Sequence, residues 1–139
     1  MNVVFISPHF PEYYHNFCSR LKDRGVNVLG VGDCPYDIIS DDTKNSLTEY
    51  YYVGSLENYD EVYRACAYFS SHYGKIDWIE SENEYWLELE ATLRRDFNVT
   101  TGPQIQDMRW MKFKSAMKEV YKSADLKVAD YIKLDTLDE

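Results

Sequence analysis

The chain has 139 residues, 45% of them hydrophobic, and a formal net charge of −9. That is the size of one domain, with enough apolar material to bury a real core. The acidic balance argues against general nucleic-acid binding, and no apolar run approaches the length of a membrane span.

Three cysteines, Cys18, Cys34 and Cys66, are widely spaced and odd in number. They form no CxxC pair and read as free thiols in a reducing compartment. The opening Met-Asn-Val-Val-Phe-Ile-Ser has no basic region and too short an apolar run for a signal peptide. A cytoplasmic protein is expected, with no membrane and no nucleic-acid partner. The charge is uneven: residues 1–100 hold 8 Lys/Arg against 17 Asp/Glu, whereas residues 101–139 hold 7 of each.

Asn2 to Ser7 is apolar and β-branched without alternation, the pattern of a central parallel strand buried on both faces. Ser7-Pro8-His9-Phe10-Pro11 is a loop, since two prolines in four residues cannot continue a strand. Tyr14, Phe17, Cys18 and Leu21 mark one face of a helix that stops near Gly25. Val26 to Val31 reads as a second strand. Residues 34–47, rich in Asp, Ser and Asn, read as an irregular connection. Thr48 to Val53 is a third strand, rich in tyrosine. Tyr59 to Tyr73 carries Val62, Cys66 and Phe69 at helical spacing and ends at Gly74. Ile76 to Ile79 is a fourth strand, and a helix with Tyr85, Trp86, Leu89 and Leu93 runs on to about Phe97.

Alternation of this kind predicts a Rossmann-like three-layer α/β domain over residues 1–100. It has a parallel sheet, right-handed crossovers and helices on both faces. Thr100-Thr101-Gly102-Pro103 breaks the pattern. One helix from Ile105 to Ala124 and a last strand from Val128 to Leu134 follow. Residues 101–139 thus read as the start of a second domain that is cut off.

The turn Glu80-Ser81-Glu82-Asn83 falls at the carboxyl end of the fourth strand, where open α/β sheets expose their binding edge. Two readings stand. Glu82 and Asn83 face a ligand, or Ser81 or Asn83 caps the next helix while Glu82 and Glu84 favour its positive end. His9, at the end of the first strand, is a further ligand-facing candidate, with an exposed loop histidine as the plainer reading. The first βα loop lacks the glycines of a dinucleotide fingerprint, and no P-loop is present. No metal-ligand spacing and no nucleophile–base arrangement stands out. Lys114, Lys118 and Lys122 share a helix face that is either solvated or in reach of a phosphate.

In order, Ser81-Glu82-Asn83, Thr101-Gly102-Pro103, Lys114 and the run from Met117 to Tyr131 resemble the N-terminal part of ATP-grasp ligases. The resemblance is to the biotin carboxylase-like and carboxylate–amine ligase branches, and it covers nearly the whole chain. It implies a pre-ATP-grasp domain followed by the first helix and strand of the ATP-grasp domain. It also implies ATP and Mg²⁺ as cofactors of the full-length enzyme, with none expected in this fragment. The substrates would be a small-molecule carboxylate and an amine joined through an acylphosphate; biotin is not implied. Lys114 sits in the register of the family lysine that contacts ATP phosphate. The family's preceding aspartate is replaced by Phe113. Glu82 falls on the glutamate beside the acceptor substrate.

The fragment alone is expected to be inactive, its partners being the remaining ATP-grasp domains of the same chain. A homodimer is possible. A stand-alone small-molecule-binding or interaction module of the same fold, without catalysis, is the alternative. The 13 tyrosines suit either buried contacts with further domains or an interaction surface.

Overall fold

The computed structural model describes residues 1–132 and divides into two compact units, Met1–Ile105 and Gln106–Glu139. In the first unit the order is β1 (Asn2–Ile6), α1 (His15–Lys22), β2 (Asn27–Gly32), α2 (Asp41–Ser46), β3 (Glu49–Tyr52), α3 (Tyr59–Tyr73), β4 (Trp78–Glu80) and α4 (Leu87–Asp96). The four strands form one sheet in the order β3-β2-β1-β4, and every pair is parallel. β1 is central, as its unbroken apolar run predicts, and all five of its residues are buried.

Alternate residues of each strand enter different cores, because successive side chains point to opposite faces. Val4, Ile6, Leu29, Val31 and Ile79 pack with Val62, Ala65, Cys66 and Phe69 of α3 and Leu93 of α4. The α3 residues recur at i, i+3, i+4 and i+7, one stripe of a helix. On the opposite face Phe5 and Val28 pack with Cys18 of α1 and with Leu47, which follows α2. Helices therefore cover both faces, α1 and α2 on one and α3 and α4 on the other. Gly30 permits the close approach on the α2 side: a Cβ there would lie 2.8 Å from Leu47 Cδ1.

Three expectations are corrected. Residues 34–47 are not wholly irregular, because α2 forms within them. The Ser40 hydroxyl accepts from the Thr43 amide at 3.2 Å, capping a helix whose residues carry no apolar periodicity for a sequence reading to find. The single helix over 105–124 is broken into a 3₁₀ turn (Ile105–Asp107), α5 (Met108–Lys112) and α6 (Lys114–Ser123), with Phe113 extended at ψ 110° between the last two. Met111 and Ala116 are five residues apart, which in an unbroken helix places them about 140° apart around the axis; the break resets that phase.

The third correction concerns the strand expected over 128–134. Residues 128–132 have no regular structure, and 133–134 lie outside the described residues. The second unit offers no other described strand to pair with, and a lone strand leaves its backbone groups unmatched.

Candidate functional site

The strand order sets where a site can form. From β1 the chain crosses by α1 to β2 on one side, while β4 lies on β1's other side and its helix α4 packs on the opposite face. The loops leaving β1 and β4 thus diverge, opening a crevice at the carboxyl ends of these two strands, the switch point at which open α/β sheets bind ligands.

Both loops carry a non-glycine residue in the left-handed region: Ser7 at φ 55°, directly after β1, and Glu82 at φ 58°, two residues after β4. Such conformations cost about 1 kcal/mol or more and persist only where the surroundings enforce them. At β4 the surroundings do so densely. Ser81 is buried; its hydroxyl accepts from the Asn83 amide at 3.1 Å and donates to the Glu90 carboxylate. The Asn83 side chain accepts from the Tyr85 amide at 3.0 Å, capping the 3₁₀ turn Glu84–Trp86. From the first loop the Tyr14 hydroxyl reaches across and donates to the Glu82 carbonyl at 2.7 Å.

Beneath the turn lies a charge cluster that sequence reasoning missed. Arg94 and Glu90 of α4 are both fully buried and pair at 3.0 Å. The guanidinium also donates through Nε to the Ile79 carbonyl at 3.1 Å and through one terminal nitrogen to the Pro103 carbonyl at 2.8 Å, and it pairs with Glu80 at 3.4 Å. One cation thus ties the end of β4, the start of the turn that follows it and the Gly102-Pro103 segment together. Gly102, at φ 73°, is needed there: a Cβ would stand 3.1 Å from Arg94 Nε.

Two carboxylates share this one guanidinium. Burial, then the charge of Glu80, push the Glu90 carboxyl up to about 7. The signal was present in the sequence. Glu90 and Arg94 are four apart within the stripe formed by Trp86, Leu89 and Leu93, but an i,i+4 pair on a helix normally reads as a surface pair.

The sequence-predicted site residues separate into three places. Glu82 is exposed at the crevice, its carboxyl raised by burial and by Glu80. Asn83 beside it caps the following turn. His9 turns toward the end of β2, with Nε2 3.4 Å from Asp33 and Nδ1 buried without a hydrogen-bond partner. Burial lowers the His9 pKa and Asp33 opposes that shift, so the ring favours its neutral form. Lys114 is exposed at the start of α6, in the second unit. Of its two companions, Lys118 lies 4.5 Å and Lys122 5.3 Å from the Tyr131 ring centroid.

Among the described residues no group of three or more His, Cys, Asp or Glu is placed to hold a metal ion, and no helix is long and apolar enough to cross a membrane. No family model and no curated protein matches the chain. A solved L-amino acid ligase from Bacillus licheniformis superposes with a TM-score of 0.62 over 94% of this chain, at 14% identity. The chain covers 35% of that ligase, so the likeness is to part of a much longer protein. At this identity the shared property is the fold: a four-stranded parallel sheet between two helical layers.

Proposed function

We propose that this chain is the substrate-side domain of an ATP-dependent carboxylate–amine ligase of the ATP-grasp type. The observation that carries the reading is the switch-point turn: Glu82 is held in a left-handed conformation at the crevice by a buried scaffold that leaves its side chain exposed. The fold shared with an L-amino acid ligase supports the same reading.

In that role Glu82 attracts the ammonium group of the amine substrate, and Ser81, Glu90 and Arg94 keep the turn in place. Lys114, exposed at the start of α6, suits a phosphate of ATP, which when bound supplies the phosphoryl group that activates the carboxylate. No residue named here is assigned to Mg²⁺. The part assigned to the residues named here is binding and orienting.

The test is steady-state ADP release by the ligase that carries this domain, with each substrate varied in turn. Glu82→Gln is expected to raise the KM for the amine about ten-fold and to leave the KM for ATP unchanged. Lys114→Ala is expected to weaken ATP by about ten- to a hundred-fold. If Glu82→Gln leaves every parameter within about two-fold of wild type, the turn is only a helix-capping device.

A further inference from the structure

Two rigid peptide planes meet at the Glu82 Cα, and φ and ψ there set how they stand. Their amide ends are held from the β4 side. The Glu82 amide donates to the Glu80 carboxylate at 3.3 Å, and the Asn83 amide to the buried Ser81 hydroxyl at 3.1 Å. The carbonyl end of the second plane is held from across the crevice, by the Tyr14 hydroxyl at 2.7 Å.

Tyr14 is itself held firmly. It ends a 3₁₀ turn, Glu12–Tyr14, on the loop leaving β1, and it is half-buried. Phe5 of the central strand, Tyr13 and Phe17 of α1 meet its ring edge-on, with centroids at 6.5, 5.2 and 5.7 Å. The loop behind it is closed on itself and on β2. The Ser7 amide donates to the Val31 carbonyl at 2.8 Å, the Ser7 hydroxyl to the Phe10 carbonyl at 3.2 Å, and the Tyr14 amide to the Pro11 carbonyl at 2.9 Å. The hydroxyl therefore stands at a fixed point opposite the β4 turn.

We infer that Tyr14 is a positioning residue for the amine site: its hydroxyl, reaching from the first βα loop, holds Glu82 in the left-handed conformation that presents the carboxylate at the crevice. The inference rests on the assignment of Glu82 to the amine substrate. Tyr14 reaches Glu82 through the main chain, so it acts on where the carboxylate stands and not on the substrate. A left-handed glutamate has ordinary backbone conformations open to it at lower energy. One net hydrogen bond shifts such an equilibrium by about two- to ten-fold. Water can replace the hydroxyl as donor, but water follows the carbonyl wherever it turns. A hydroxyl anchored by its ring bonds the carbonyl in one orientation, and so selects one backbone conformation.

The test uses Tyr14→Phe, which keeps the ring and removes the hydroxyl. In the 139-residue chain, nuclear magnetic resonance reads φ of Glu82 from the three-bond coupling between the Ser81 carbonyl carbon and the Glu82 α-proton, which is large only at positive φ. Wild type is expected to give the large value. Tyr14→Phe is expected to give one averaged toward ordinary backbone, with circular dichroism unchanged. An unchanged coupling overturns the inference. The second readout is ADP release by the ligase that carries this domain, with the standard L-amino acid it uses fastest as the varied amine. Tyr14→Phe is expected to raise the KM for that amine about two- to ten-fold and to leave kcat and the KM for ATP unchanged. In a Glu82→Gln background the same substitution is expected to add less than about two-fold, because a residue that acts through the Glu82 carboxylate has none left to position. A full effect in that background overturns the inference and makes Tyr14 a direct substrate contact. An impaired Glu82→Gln beside a silent Tyr14→Phe overturns the inference alone. A Glu82→Gln variant with wild-type kinetics overturns the amine-site reading and the inference with it.

Discussion

The two faces of the sheet do different work. The α3/α4 face is a closed core in which Val62, Ala65, Cys66, Phe69 and Leu93 close over Val4, Ile6, Leu29 and Val31, all at or near zero exposure. The α1/α2 face has a smaller buried cluster, Phe5, Cys18, Val28 and Leu47, and an open groove beside it. Buried apolar packing therefore concentrates on the first face and open surface on the second. The switch-point turn sits where the two meet, braced from the α4 side by Arg94 and exposed on the other through Glu82.

The largest effect expected from this division is on the closed face. Phe69→Ala leaves a cavity with no side chain free to fill it and is expected to cost about 3–5 kcal/mol, read as a lowered urea midpoint at unchanged slope. A loss below about 1 kcal/mol would mean that this face is not where the chain is held together.

Next is the brace. The Glu90 carboxyl titrates at about 7 in the folded chain against an ordinary value of 4.5. Between those values the folded state binds the extra proton, so this group's contribution to stability is complete below pH 4.5 and is lost as the pH rises through about 7. Its full span is up to about 3 kcal/mol. Glu90→Gln keeps the shape and removes the titration, so denaturation curves at pH 5 and pH 8, roughly the two sides of the window, are expected to differ less in the variant than in wild type. An unchanged pH dependence would assign the slope to other groups.

A smaller effect of opposite sign is expected at the turn. Glu82 sits at φ 58°, a conformation glycine adopts freely. Glu82→Gly is expected to raise the unfolding free energy by about 0.5–1 kcal/mol while weakening the amine substrate in the ligase assay. Stability and function would then part at one residue, the mark of strain retained for binding. A glycine variant less stable than wild type would show the turn to be a structural element first.

Smallest is the open face. Phe17→Ser is expected to change stability by no more than about 0.5 kcal/mol, because its ring is 43% exposed. A large loss would make Phe17 a core residue and erase the contrast between the faces.

Much of this organisation follows from local chemistry. Val3 to Ile6 is apolar at every position, and only a strand covered on both sides satisfies that pattern. The stripe Val62, Cys66, Phe69 and the stop at Gly74 are visible in one dimension because helical periodicity repeats every 3.6 residues. The turn Ser81-Glu82-Asn83 is legible for the same reason: a polar run between a strand pattern and a helix pattern has to be the loop at a strand's carboxyl end.

What the sequence could not decide depended on long-range placement. Sheet order put β4 beside β1 and so created the crevice; no local pattern carries strand order. Packing of α4 buried Glu90 and Arg94, which are indistinguishable in sequence from a solvated helix pair until β4 and the Gly102-Pro103 segment close over them. His9 went to Asp33 because the β1 loop turns toward β2, which spacing alone does not encode. The groove exists only because two helices on one face leave the fourth strand open. Helical and strand periodicities are local and survive in a linear reading, whereas coverage, burial of charge and the meeting of distant loops are properties of the assembled layers.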